Sequence, residues 1–227
     1  MQLNFFRALA NVLGLTWARV RSDFLSHSWV TITLGITVTA LMFVPDADNY
    51  LRFDSVAILE NGEWWRIFTA VFVHSSWDHY TWNVIVLVAS SLVCEQINRR
   101  VFVIYLFAML VANATFKLLI YGGEHSSLGF SGVASGTFVL LLILIIAEGM
   151  TTRDFWMVVV SAAILVVFSA HELGFLGSQT GWEMLTGHSI DSMPGKKTKP
   201  AHVLGMFTGF VVASGYLFTA AVIRKRQ

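Results

Sequence analysis

Six apolar segments dominate the sequence, and they restrict the chain to folds that have a lipid bilayer as their solvent. Each is close to the ~17 to 25 residues that a membrane-spanning helix needs. The segments cover residues 28–44, 67–93, 101–121, 130–147, 155–170 and 200–223. Hydrophobic residues make up 56% of the chain and charged residues only 13%, which is typical of polytopic membrane proteins. We therefore expect an all-α bundle of six transmembrane helices.

The lysines and arginines indicate which helix ends face the cytoplasm, because cytoplasmic flanks retain positive charge. With the N-terminus inside, the inner flanks carry nine of these residues and the outer flanks carry six. Three of the outer six lie in the long loop 171–199, where charge has less influence on orientation. We expect both termini in the cytoplasm and the long loops 45–66 and 171–199 on the outer face.

The segments divide the chain into one membrane domain with two short ends. Residues 1–27 form a cytoplasmic N-terminal segment, whose stretch 4–21 has the spacing of an amphipathic helix that lies on the membrane or packs on the bundle. Arg19, Arg21 and Asp23 argue against a cleaved signal peptide. Residues 28–223 form the six-helix domain, and residues 224–227 form a basic cytoplasmic tail.

The remaining composition excludes other classes of partner and site. A net charge of +1 provides no basic surface for nucleic acid, so we expect none as a partner. The single cysteine, Cys94, excludes an intrachain disulfide framework and a multi-cysteine metal site. Trp64, Trp65, Trp77 and Trp82 lie near one set of helix ends and are typical of an aromatic belt at the bilayer interface.

Polar side chains interrupt three of the segments near their outer ends. Burying such groups in a bilayer is costly, so each one is a candidate functional residue. His74, His79 and Asn83 lie in HSSWDHYTWN, Ser131 lies in GFSG, and His202 lies in PAHVLG. Since three distant segments place polar groups at a similar depth, the sequence predicts one shared site.

The positions of these residues along their helices predict roles in acyl transfer. Ser131 begins a helix, so its own N–H and that of Gly132 lack intrahelical acceptors and lie beside its hydroxyl. His79 and Asn83 are four residues apart on one helical face and are suited to stabilise an anion on a carbonyl oxygen. Two structural alternatives remain: Ser131 as a helix N-cap, and the His79 and Asn83 pair as interhelical hydrogen-bonding groups.

Glycine pairs with a spacing of four residues predict that the fourth and sixth helices pack closely. The pairs are Gly132 and Gly136 in the fourth segment, and Gly205 and Gly209 in the sixth. The first pair follows Ser131 and the second follows His202. Close packing of the two helices would therefore bring Ser131 to His202 as nucleophile and general base.

The sequence shows no aspartate or glutamate at the depth of this pair, so we expect a Ser–His dyad without a third member. A metal site formed by His74, His79 and His202 is the competing hypothesis, but no HExxH motif or carboxylate pair accompanies these histidines. We expect no metal and no cofactor. A transporter would show inverted repeats and broken helices, and neither is evident in the sequence.

Three motifs, in this order, resemble those of the rhomboid family of intramembrane serine proteases. They are WWRIFTAVFVHSSWDHYTWN with His–x4–His–x3–Asn spacing, GFSG, and AHVLGMFTG, which fits AHxxGxxxG. The resemblance covers about residues 60–223. It implies Ser131 as nucleophile, His202 as general base, and His79, Asn83 and the Ser131 amide as oxyanion-hole donors. The supporting residues are His74, Gly129, Gly132, Gly136, Gly205 and Gly209.

Within that family the chain is most similar to the rhombosortases, through LRFDSVAILENGEWWRIFTAVFVH, SGVASG and GWEMLTG. This similarity implies membrane-anchored protein substrates with Gly-Gly-containing C-terminal tails. It also implies a bacterial inner membrane, with the active site opening to the periplasm. Ser135 departs from the family, because many rhomboids carry an aromatic residue there on which the histidine stacks. The alternative is a non-catalytic chaperone or scaffold, but such relatives typically lose the serine or the histidine, and this chain retains both.

Overall fold

The fold is helical, with a small folded loop at one end. The computed structural model describes residues 28–120, 126–173 and 200–224. The expected surface helix of residues 4–21, the end of the basic tail and most of the loop 171–199 lie outside the described residues. The elements are α1 (Ser28–Leu41), α2 (Ala47–Leu51), β1 (Phe53–Asp54), α3 (Ser55–Asn61), α4 (Arg66–Thr69), α5 (Trp77–Ile120), β2 (Ser126–Ser127), α6 (Ser131–Thr152), α7 (Phe155–Glu172) and α8 (Pro200–Arg224).

Four of the described helices, α5 to α8, are long and apolar enough to cross a membrane, and α1 is a shorter apolar helix. The 44 residues of α5 would extend roughly 66 Å as one straight helix, about twice the thickness of a hydrocarbon core. However, the helix is broken at Asn98, which has φ −157° and ψ 94°. The Asn98 side chain then accepts a hydrogen bond from Val101 N at 3.2 Å and caps the second half.

The two halves of α5 run in opposite directions. Near its start, His79 lies against Gly129, and near its end Lys117 lies 5.2 Å above the ring centroid of Phe53. Phe53 belongs to β1, which pairs antiparallel with β2 just before Gly129. Because both ends of α5 reach this one small sheet, the break at Asn98 turns the chain back through the bundle.

The predicted start of the second apolar segment at residue 67 is wrong. Residues 66–69 form the separate helix α4, and α5 begins only at Trp77, where Ser76 Oγ accepts a hydrogen bond from His79 N. Ile67 and Ala70 are buried in a small core with Phe53. They therefore stabilise the folded loop region before α5 and are not part of a lipid-facing helix. A hydropathy pattern cannot distinguish these two uses of an apolar residue.

The loop 45–66 is folded around a buried arginine. Arg66 donates hydrogen bonds to the carbonyl oxygens of Asn49 and Arg52 and forms an ion pair with Glu63. Thr69 Oγ1 donates to Leu51 O at 2.9 Å. These bonds fix the loop beside the ends of α5 and the β2 strand that leads to Gly129.

Helix α6 is the central helix of the bundle. Two thirds of its apolar window (67%) is buried, against 11% of the window of α7. It packs against α5, α7 and α8, whereas α7 packs mainly on α6, in part through the Phe138 and Phe168 rings at 4.9 Å. The residues at the start of α6 are therefore surrounded by the bundle, while α7 lies at its edge.

A buried carboxylate attaches α1 to this bundle. Glu95 accepts hydrogen bonds from the backbone N–H groups of Val30 and Thr31 at 3.1 and 2.9 Å, and from Thr31 Oγ1 at 2.8 Å. Arg99 pairs with the same carboxylate. The amides at a helix N-terminus have no acceptor within the helix and favour a negative charge. The Glu95 carboxylate therefore provides the acceptors for the amides at the start of α1.

Candidate active site

The turn that leads into α6 requires a glycine. Gly129 has φ +111°, and its N–H donates to Ala70 O at 2.9 Å. A Cβ atom at this position would lie 2.8 Å from Cε1 of His79, closer than side chains approach one another. Gly129 therefore provides both the backbone conformation of the turn and the space for the His79 ring.

Ser131 is the first residue of α6 and is half-buried. Phe130 occupies the N-cap position, and no side chain caps the helix. The first intrahelical hydrogen bond runs from Ala134 N to Phe130 O, so the amides of Ser131 to Val133 have no acceptor within the helix. Ser131 thus lies among free helix amides and does not act as the N-cap, which was the structural alternative for this residue.

Helices α6 and α8 touch through their backbones at the predicted glycines. A Cβ on Gly132 would lie 2.5 Å from Ala201 O, and Cβ atoms on Gly136, Gly205 and Gly209 would each lie closer than 3.0 Å to the opposite backbone. No side chain larger than hydrogen fits between the helices at these points. The spacing of the glycines predicts this groove, and the structure contains it.

The Gly132 and Ala201 contact brings the predicted nucleophile and base to the same level, because Ser131 and His202 each adjoin it in sequence. His202 Nε2 is buried and has no hydrogen-bond partner among the described residues. The serine and the histidine therefore each lie one residue from the same backbone contact, and no hydrogen bond joins Ser131 to His202 Nε2. Such bonds are often loose in the absence of substrate.

His79 and Asn83 lie on one face of the first turns of α5. The His79 ring lies against Gly129, two residues before Ser131. Asn83 follows one turn later, and its Nδ2 atom is buried without a hydrogen-bond partner in the described parts of the chain. The structure thus brings His79 next to the turn before Ser131 and leaves an amide donor of Asn83 available in the interior.

His74 lies in the turn before α5 and is only 5% exposed. Its ring meets the rings of His79 and Tyr80 edge to face, at centroid distances of 5.1 and 5.8 Å. Both ring nitrogens are buried and have no hydrogen-bond partner within the described residues. Burial, and secondarily the nearby His79, lowers the pKa of His74 from 6.5 to about 4, so this ring is neutral at pH 7.

The expectation that no acidic residue lies at the depth of His202 is wrong. Glu172 Oε2 is hydrogen-bonded to His202 Nδ1. The predicted fifth segment ends at residue 170, but α7 continues to Glu172 and carries its carboxylate to the start of α8. The sequence did contain a signal for this contact. Glu172 follows the end of the segment 155–170, and the predicted topology places it near the level of His202 at the start of the next segment.

Tyr105, which none of the sequence motifs includes, also supports the helix that carries Ser131. The Tyr105 hydroxyl donates to Val133 O at 2.8 Å, and a Cβ on Gly136 would lie only 2.2 Å from this hydroxyl oxygen. A tyrosine hydroxyl in an apolar helix usually needs a hydrogen-bond acceptor. The presence of Tyr105 in the third apolar segment was therefore a sequence signal for a contact with a neighbouring helix.

The alternative metal site is not formed by the described residues. Across residues 28–120, 126–173 and 200–224, no three histidine, cysteine, aspartate or glutamate side chains converge as metal ligands would. His74 and His79 are neighbours, but His202 is hydrogen-bonded to Glu172 on another helix.

A model of the Rhomboid domain family matches residues 61–218, which is more than half of the chain. The chain belongs to the rhomboid family. Searches of curated proteins and of solved structures gave no match. Rhomboids are generally intramembrane serine proteases that act on membrane protein substrates within the bilayer. The four long apolar helices of this rhomboid agree with an integral membrane protein.

Proposed function

We propose that this rhomboid is an active intramembrane serine endopeptidase. One observation carries the proposal: the α6 and α8 backbones meet at Gly132 and Ala201, so that Ser131 and His202 flank a contact that leaves no room for another side chain. Nucleophilic catalysis by serine requires a base within reach of the hydroxyl. The buried, unpartnered Nε2 of His202 suits that role.

In the proposed reaction, Ser131 Oγ attacks a peptide carbonyl carbon and its proton passes to His202 Nε2. The tetrahedral intermediate then breaks its C–N bond, and His202 gives the proton to the leaving amine. Water, activated by the same histidine, hydrolyses the acyl-enzyme and restores Ser131. The groups that the chain itself supplies are sufficient for each of these transfers.

The oxyanion would be held by the Ser131 amide together with His79 and Asn83. The free amides at the start of α6 and the positive end of its dipole favour negative charge at this place. Asn83 Nδ2 is a buried donor without a partner among the described residues. In soluble proteases one such donor contributes roughly 10²- to 10³-fold to kcat.

The substrate would be a membrane-spanning or C-terminal membrane-tail segment that approaches from the side. A helical carbonyl is already hydrogen-bonded, so the segment must unwind at small residues before attack. Helix α7 packs mainly on α6 and is the least buried of the described long helices, so we place the lateral approach on its side of the bundle. Following the rhombosortase similarity, we propose Gly-Gly-containing tails, a Ser131–His202 site that opens to the periplasm, and a bacterial inner membrane as the location.

Tail removal in reconstituted membranes tests this proposal. Ser131→Ala and His202→Ala are each expected to lower the rate of cleavage of a Gly-Gly-tailed substrate by about 10³-fold or more. Ser135→Ala is the matched control, because Ser135 is a buried serine one helical turn further into the bundle. It should retain most of the activity.

Undiminished tail removal by both Ser131→Ala and His202→Ala would contradict the protease. A wild-type protein that cleaves unrelated transmembrane helices, but leaves Gly-Gly tails intact, would contradict only the proposed substrate.

A further inference from the structure

Glu172 is the last residue of α7, and its carboxylate meets the histidine in the first turn of α8. The hydrogen bond joins Glu172 Oε2 to Nδ1 of His202, which leaves Nε2 on the far side of the ring. Both side chains are only 16% exposed. This is a partly buried contact between a carboxylate and an imidazole, and the dyad hypothesis does not account for it.

A carboxylate on Nδ1 determines which ring nitrogen carries the proton. The carboxylate is acceptor-only when ionised, so Nδ1 must donate and a neutral ring then has its lone pair on Nε2. That nitrogen is the one that is buried without a hydrogen-bond partner in the described part of the chain. The hydrogen bond also fixes the rotation of the ring about its bond to Cβ.

We propose that Glu172 is a positioning residue that holds His202 in the tautomer and orientation needed to accept the proton of Ser131. The inference rests on the proposed protease function and adds a third member to its Ser–His pair. In each cycle the proton moves from Ser131 Oγ to His202 Nε2 and then to the leaving amine. Glu172 remains ionised and stabilises the imidazolium that exists between the two transfers.

The surroundings of His202 explain why such a group is needed. Ser135, one turn along α6 from Ser131, has no ring on which the histidine could stack. Helix α7 otherwise has few contacts with α8. Among the described residues, the glutamate at the end of α7 is therefore the polar contact that orients the histidine ring.

Glu172→Gln tests the inference, because it keeps the size of the side chain but removes its charge and presents an amide donor to Nδ1. We expect kcat for tail cleavage in reconstituted membranes to fall by about 100-fold or more with little change in KM, since the wrong tautomer is favoured. Glu172→Asp should recover a large part of that loss, because it restores the carboxylate with a shorter reach. Glu148→Gln, the same change at an exposed position on α6, should leave both constants unchanged.

The outcomes separate this inference from the proposed function. If wild-type cleavage depends on Ser131 while Glu172→Gln stays within about threefold of wild type, the positioning role is wrong and the protease stands. A structural role predicts instead a lower melting temperature in Glu172→Gln, with activity that Glu172→Asp does not restore, and this result also overturns the inference. If the glutamine variant does not fold, Glu172→Ala decides, because it also removes the carboxylate. A kcat lowered by about 100-fold with an unchanged KM and melting temperature supports positioning, and a kcat within about threefold of wild type overturns it.

Discussion

At the scale of single residues, the candidate site contains buried polar atoms whose hydrogen bonds the described residues leave incomplete. Both nitrogens of His74, Nδ2 of Asn83 and Nε2 of His202 have no hydrogen-bond partner among the described residues. An unsatisfied buried polar group costs about 1 to 3 kcal/mol, so their presence near Ser131 is unfavourable for the fold itself. Such a cost is expected where groups are kept available for chemistry.

His74 makes the stability of the protein depend on pH. Its pKa is lowered to about 4 in the folded protein, whereas in the unfolded chain it would be near 6.5. The unfolded state therefore binds the proton first as the pH falls, and folded stability is lost progressively between pH 6.5 and pH 4. From pH 7 to pH 5 we expect His74 to account for a loss of about 2 kcal/mol.

His74→Phe should remove this dependence while keeping the ring contacts with His79 and Tyr80. The measurement is the free energy of unfolding in detergent at pH 7 and pH 5 for the wild type and the variant. A variant that loses as much stability as the wild type over this interval would show that His74 does not cause the effect.

At the scale of elements, the decisive feature is the contact of α6 with α8. Four glycines at two spacings of four residues predict it, since only a surface of small residues lets two helices touch through their backbones. The ends of the helices were harder to predict. Hydropathy assigned Ile67 to a membrane helix, but Ile67 and Ala70 belong to the small core with Phe53. It also ended the fifth segment at residue 170, whereas α7 runs two residues further and includes Glu172.

Gly205→Ala is expected to force α6 and α8 apart. The new Cβ would overlap the carbonyl group of Gly132, and this backbone group cannot move aside as a flexible side chain can. We therefore expect the free energy of unfolding to fall by about 1 to 3 kcal/mol or more. Cleavage activity should fall with it because Ser131 and His202 flank the same contact.

Gly215→Ala is the control on the same helix, since nothing lies within 4 Å of a Cβ at that position. It should be neutral, or stabilising by up to about 1 kcal/mol, through the higher helix propensity of alanine. Thermal unfolding in detergent compares the two variants. Equal effects would contradict the importance of the backbone contact.

At the scale of the whole molecule, the sequence predicts the class of fold and the elements that form the candidate site. It does not predict how the loop 45–66 folds or which residue contacts His202 Nδ1. The sequence motifs consist of residues a few positions apart, and such spacings predict which residues share a helical face or form a groove. The pairing of β1 with β2 and the bond from α7 to α8 join segments far apart in sequence, through contacts that leave no periodic pattern.

The reversal of α5 at Asn98 makes the predicted orientation testable. Cys94, the single cysteine, is fully buried and should not react with a membrane-impermeant maleimide. New cysteines at the exposed positions Arg100 and Thr152 should react only from the cytoplasmic side, and one at Ser75 only from the opposite side. Labelling of all three positions from one side would contradict the six-span arrangement with both termini in the cytoplasm.

The backbone contact between α6 and α8 also has a mechanical consequence. Helices that meet through side chains can slide as rotamers change, but two main chains in contact have no such freedom. A bilayer that thins or thickens must be accommodated by tilting helices, and the least buried long helix, α7, can tilt at the lowest cost. The distance between the serine and histidine helices should therefore be nearly independent of lipid chain length, and any sensitivity to the bilayer should enter through α7.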